Sequence, residues 1–114
     1  MNRDKKGQVV LNAARRLAKR GGNRYYHHAA IVYRGGRVIS SGFNHHEIHA
    51  EANALFNIWP NKRKGCRLLS IRVSRTGSLL MAKPCTKCLR MLRRDGIKSV
   101  DYSTAEGTIE RMKL

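Results

Sequence analysis

Two short motifs carry the residue types that do chemistry. His49-Ala50-Glu51 comes first, and Pro84-Cys85-Thr86-Lys87-Cys88 begins 33 residues after Glu51. One imidazole and two thiols make a set of three zinc ligands. Three protein ligands leave the fourth tetrahedral position open for water, the arrangement of a catalytic zinc rather than a structural one. Zinc lowers the pKa of a bound water to near neutrality, so hydroxide is available at physiological pH. Glu51 stands two residues from His49. It can contact that water, and a substrate atom being protonated, without ligating the metal.

The same residues admit other readings. Cys85 and Cys88 could form a redox pair, which would make His49-Ala50-Glu51 accidental. His46-Glu47 opens a zinc-protease motif, but that motif needs histidine at position 50, where Ala50 stands. A structural zinc with His45 or His46 as fourth ligand would leave Glu51 without a task. The chain has three cysteines, and Met1-Asn2-Arg3-Asp4-Lys5-Lys6 lacks the apolar run of a signal peptide, so a disulfide framework is not expected. Two metal thiolates and one free thiol result, with Cys66 packed near the start of a strand.

The elements that position these residues follow from periodicity. Residues 5–20 carry Val10, Ala13, Ala14, Leu17 and Ala18 at helical spacing, and Gly21-Gly22-Asn23 ends that helix. Strands are expected over 28–33 and 37–42, joined through Gly35-Gly36 as a hairpin. A loop over 43–48 leads to a helix over 50–59, with Ala54, Leu55 and Ile58 on one side and Pro60 as its stop. After the basic turn Asn61-Lys62-Arg63-Lys64-Gly65, a third strand covers 68–74, and 78–83 is extended or irregular. Pro84 then opens a helix over 85–94. At that helix start the dipole and free amides favour thiolates. Strands over 99–103 and 108–112 finish the chain. Only four residues separate them, too few for a parallel crossover, so the last pair is expected to be antiparallel.

Gly42-Phe43-Asn44, His49-Ala50-Glu51-Ala52-Asn53-Ala54-Leu55, Lys83-Pro84-Cys85-Thr86-Lys87-Cys88 and Gly96-Ile97-Lys98-Ser99-Val100-Asp101-Tyr102 together resemble the cytidine/deoxycytidylate deaminase superfamily. H-x-E followed by P-C-x-x-C is the signature of zinc deaminases. The resemblance covers nearly the whole chain. It implies an α/β fold, a three-layer α/β/α sandwich with a mixed five-stranded sheet. It implies one zinc ion per chain on His49, Cys85 and Cys88, with Glu51 as the catalytic proton shuttle. It also implies substrate contacts from the Asn44 side chain and the Ala50 backbone, although Asn44 reads equally well as a turn residue.

Twenty-four Lys and Arg against seven Asp and Glu give a net charge of +17, where a small soluble domain carries about 2–8. Such an excess points to polyanionic partners. Lys87, Arg90 and Arg94 share a helix face by spacing, and Tyr25, Tyr26, His28 and Trp59 offer rings on which bases could stack. The charge favours cytosine in single-stranded DNA or RNA as substrate. The short final hairpin instead resembles the branch that deaminates free cytidine or dCMP, because the polynucleotide branches insert a helix before a parallel last strand. A basic nucleic-acid-binding protein with a purely structural zinc is the reading from another class. The expectations are completed by one deaminase domain over 1–114 that could form homo-oligomers. No apolar run approaches the ~20 residues needed to span a membrane, and a cytoplasmic location is the default.

Overall fold

The computed structural model describes Asn12, Arg16 and residues 26–44, 49–74 and 76–114. Asn12 and Arg16 are helical and exposed, as the first helix requires. The rest of that helix, Gly21-Gly22-Asn23, Tyr25, the Tyr26 side chain and the His45-His46 pair lie outside the described residues.

Strands β1 (Tyr26–Arg34) and β2 (Arg37–Phe43) form an antiparallel hairpin. Its turn residues Gly35 and Gly36 both have positive φ, 57° and 81°, the conformation of a tight two-residue hairpin turn. On its other edge β1 pairs antiparallel with β3 (Arg67–Ser74). Next comes β5 (Ser99–Ser103), parallel to β3, and then β6 (Ile109–Lys113), antiparallel to β5. The order is β2-β1-β3-β5-β6, and the mixed sheet and antiparallel last pair are as expected.

Successive residues of a strand point to opposite faces, and two apolar clusters follow. Ala30, Val32, Leu68, Val100 and Tyr102 face helices α1 (Ala50–Phe56) and α2 (Thr86–Arg94), which contribute Ala50, Ala54, Leu55 and Leu92. Ala29, Ile31, Leu69, Ile71 and Val73 form the cluster on the other face. Leu55, Leu68 and Leu92 are fully buried, so truncating any one to alanine costs about 2–5 kcal/mol.

The boundaries depart from expectation where tertiary pairing decides. β1 starts at Tyr26 because it pairs with β3 as far as Tyr26 opposite Ser74. Helix α1 ends at Phe56, three residues before the expected Trp59. Trp59 precedes a proline and takes ψ 136°, as the clash with the proline ring demands. Pro60 then opens a single 3-10 turn, Pro60–Lys62. Within 78–83, Leu79–Leu80 forms a short strand, β4, opposite Arg72 and Val73 of β3. The last strand is shifted by one residue, since Thr108 closes the preceding turn through its carbonyl, 2.9 Å from Thr104 N.

Candidate active site

Two helix starts meet at the C-terminal ends of the parallel strands. His49 and Cys85 are the N-cap residues of α1 and α2, with extended ψ of 151° and 167°. Their carbonyls accept the first helical hydrogen bonds, from Asn53 N at 3.0 Å and Leu89 N at 2.9 Å. Cys88 lies one turn into α2. The ligand atoms of His49, Cys85 and Cys88 all fall within 4.8 Å of one another, and His49 Nδ1 is 3.3 Å from Cys88 Sγ. A tetrahedral zinc with bonds of about 2.0–2.3 Å has edges of roughly 3.5–3.8 Å, so these donors need only small adjustments to hold it. Their chemistry points the same way. Burial, then the Glu51 carboxyl and Cys85, push the Cys88 thiol up to about 12. A thiolate there requires a cation beside it. Zinc is the metal this set fits. His49 and Cys85 are exposed while Cys88 is buried, so the centre opens to the surface on one side.

Glu51 forms the inner wall. It is 1% exposed, and its Oε1 is buried without a hydrogen-bond partner among the described residues. Burial raises its pKa; its own backbone amide, His49 and Arg72 pull in the other direction. A strongly desolvated carboxyl beside a metal site is what proton-transfer chemistry near neutral pH needs.

Local contacts explain why these groups converge. Gly42 of β2 lies against α1 so closely that a Cβ there would come 2.4 Å from Ala54 N and 2.8 Å from Ala50 O. The Asn53 side chain accepts from Phe43 N at 3.3 Å, and Ser40 Oγ donates to Ala54 O at 2.7 Å. These contacts pin α1, and with it His49 and Glu51, to the hairpin. On the other side Ser103 holds the segment before Pro84: its hydroxyl donates to Leu80 O at 2.7 Å, and its carbonyl accepts from Ala82 N at 2.9 Å.

The remaining sequence candidates divide. Ala50 is the first residue of α1 and fully buried; an N–H in the first turn has no intrahelical partner. Asn44 spends its side-chain carbonyl on His28 N, at 3.1 Å, while its own N–H donates to His28 O at 3.0 Å. Lys87, Arg90 and Arg94 are exposed along α2, and Trp59 is 78% exposed beyond the far end of α1. His28 is a correction: it is 7% exposed and faces inward, so it is not a surface ring for stacking. Its Nε2 sits 2.7 Å from Ser70 Oγ and 3.7 Å from Glu51 Oε1. Sequence reasoning missed this inward role, and with it Ser70, Gly42, Asn53 and Ser103. A serine inside the apolar run Leu68-Leu69-Ser70-Ile71 was the available signal.

No curated protein matches the sequence. Among solved structures, RibD of Acinetobacter baumannii superposes with a TM-score of 0.68 at 20% identity, over 88% of this chain and 28% of the RibD chain. This chain thus spans less than a third of that protein. The dCMP deaminase of the cyanophage S-TIM5 gives a TM-score of 0.68 at 24% identity, over 91% of this chain and 86% of its own. Cytidine deaminase from Mycobacterium leprae gives 0.58 at 19% identity, over 91% of each chain. At these identities the likeness shows the fold. The family model for the cytidine and deoxycytidylate deaminase zinc-binding region matches residues 4–104. That span contains His49, Glu51, Cys85, Cys88 and the strands behind them, and the chain belongs to this zinc-binding deaminase family.

Proposed function

We propose that the protein hydrolyses the amine of cytosine to give uracil and ammonia, and that its cytosine lies in a single-stranded polynucleotide. The observation that carries the reaction is the buried Glu51 carboxyl set against the His49, Cys85 and Cys88 donors. When bound, zinc supplies the Lewis acidity that makes water a nucleophile near neutral pH. Glu51 accepts the proton of the attacking water, delivers it to the ring nitrogen, and assists departure of ammonia, so one carboxyl serves as base and then acid. Ala50 N–H and the Asn44 amide would hold the base and its sugar, as the family resemblance implies. A cytosine within a duplex must leave the stack to enter such a site.

The polynucleotide reading is supported by where charge and rings stand. Exposed Lys83 precedes the cysteines, exposed Lys87 lies between them, and exposed Arg90, Arg93 and Arg94 continue along α2. Exposed Phe56 and Trp59 come shortly before exposed Lys62 and Lys64 in the chain. A single strand bound by such a surface loses affinity steeply with salt, with a log–log slope of about −0.7 per neutralised phosphate. A second reading, a free cytidine or dCMP deaminase, is favoured by the antiparallel β5–β6 pair. One screen separates them: cytidine, dCMP, single-stranded DNA, RNA and tRNA, followed by mass at low and high salt. Oligonucleotide turnover that collapses with salt supports the first reading. Turnover of cytidine or dCMP alone, insensitive to salt, replaces it with the second. Zinc binding and oligonucleotide binding with no deamination of any substrate would leave a structural zinc.

A further inference from the structure

Behind Glu51 the inward face of the sheet carries a polar relay. Ser70 and His28 sit on the face that packs α1 and α2, where their register neighbours Leu68, Ala30 and Val32 are apolar. Ser70 is fully buried and His28 nearly so. The Ser70 hydroxyl donates its single proton to Ala82 O at 2.8 Å. The 2.7 Å contact between Ser70 Oγ and His28 Nε2 must therefore run the other way, from an Nε2–H to the serine oxygen. The same Nε2 lies 3.7 Å from Glu51 Oε1, which has no hydrogen-bond partner among the described residues.

We propose that His28 is a positioning residue for Glu51: its Nε2–H, held on that nitrogen by the bond to Ser70 Oγ, turns its positive edge toward the carboxyl group that moves protons and fixes that group's orientation. This role rests on the function proposed for Glu51. The backbone of His28 is itself clamped, since Asn44 bonds both its N–H and its carbonyl. Burial, the Arg72 cation and His49 hold the imidazole down to about 3, so the ring is neutral at physiological pH and bears one proton. Ser70 and Ala82 decide which nitrogen carries it. With the proton on the other nitrogen, a lone pair would face Oε1 and repel a carboxylate. With the proton on Nε2, the N–H bonds Ser70 Oγ at 2.7 Å, and its positive end, not a lone pair, lies on the side of Oε1 3.7 Å away. The gap exceeds a hydrogen bond of about 3.2 Å by roughly half an ångström, and contacts of this kind tighten when substrate binds.

The test compares His28→Gln, which keeps an uncharged N–H donor, with His28→Leu, which fills the space without one. Both are loaded with zinc and assayed on the best cytosine substrate. His28→Leu should lower kcat by about tenfold or more, a fraction of the roughly 10²–10⁴ that positioned proton transfer contributes. KM and zinc content should stay near wild type, and His28→Gln should recover most of the loss. Wild-type kcat in His28→Leu overturns the proposal. So does equal impairment of both variants with KM and thermal midpoint moving together, the signature of a merely structural residue. Imidazole nitrogen NMR of the zinc-loaded protein gives an answer that needs no turnover. The expected result is a neutral His28 protonated on Nε2, whose Nε2 resonance moves in Glu51→Gln. Protonation on Nδ1, or no response to Glu51→Gln, overturns the pairing. Absence of any deamination by the wild type would instead refute the reaction proposed above, while the NMR result still decides the pairing.

Discussion

Replacing Gly42 by alanine puts one methyl group where the backbones of β2 and α1 nearly touch. Its carbon would lie 2.4 Å from Ala54 N, 2.7 Å from Asn53 Oδ1 and 2.8 Å from Ala50 O. Two of these atoms are backbone, so rotating a side chain cannot relieve the contact. Real Cβ contacts essentially never fall below 3.0 Å. Helix α1 must therefore retreat by at least about 0.6 Å at Ala54, the difference between 3.0 and 2.4 Å. Overpacking of this kind costs about 1–3 kcal/mol. The stiffer unfolded chain returns about 0.4–1 kcal/mol. The net loss is about 1–2 kcal/mol, or roughly 4–10 °C in thermal midpoint for a chain of this size. The displaced helix carries both His49 and Glu51, and a misplacement near 1 Å can cost about 10²-fold in rate. Gly42→Ala should therefore lower kcat by tenfold or more, beyond its effect on stability. Urea unfolding of the zinc-loaded proteins and single-substrate kinetics measure the two effects. A Gly42→Ala protein with the wild-type urea midpoint and wild-type kcat would refute the claim that close backbone approach positions α1.

Cys88→Ser should abolish stoichiometric zinc, measured by metal analysis after dialysis, because it removes the buried thiol of the donor set. Chelation of the wild type should lower its thermal midpoint, since a ligand at about 100 times its Kd stabilises by about 2.7 kcal/mol. The depressed pKa of His28 also sets a stability window. Unfolding restores its ordinary value of 6.5 and takes up a proton, so this contribution is lost as pH falls from about 6.5 toward 3. Glu51, raised by burial, acts in the opposite sense, and it is present in both proteins of the comparison. Relative to zinc-loaded His28→Gln, the wild type should lose about 1.4 kcal/mol between pH 7.5 and pH 5.5 in urea titrations. An unchanged difference would mean that His28 titrates normally in the fold. Tyr33→Phe removes the 2.7 Å bond to Asp101 and should cost about 1 kcal/mol; Arg111 still holds that carboxylate, at 2.7 Å.

What was legible in the sequence was whatever depends on local spacing. The metal donors and Glu51 are identified by residue type and by their places at two helix starts, and the structure brings them together there. The antiparallel β5–β6 pair followed from a four-residue connection that allows no crossover. Strand ends were less legible, because β1 extends to Tyr26 only through its pairing with Ser74. Trp59 is the expected end of the helix, but the proline after it drives its ψ to 136°; the helix stops at Phe56 and the ring is exposed. His28 was hidden for a different reason. Next to Tyr25, Tyr26 and His27 it reads as one of a polar, ring-rich group. Only the alignment of β1 with β3, with Ala30 opposite Ser70, puts it on the inner face beside Glu51. Ser70, Ser103 and Gly42 likewise act through partners eight or more residues away.

The most direct measurement of the central claim is the deamination of cytosine by zinc-loaded wild-type protein and by Glu51→Gln, with metal content determined on the same samples. Glu51→Gln keeps the shape of the side chain and all three metal donors but cannot carry the proton. The expected result is one zinc per chain in both proteins, conversion of cytosine to uracil by the wild type, and a loss of about 10²-fold or more in the variant. Equal turnover by the two proteins at equal zinc content would contradict the assignment of Glu51 as the proton carrier.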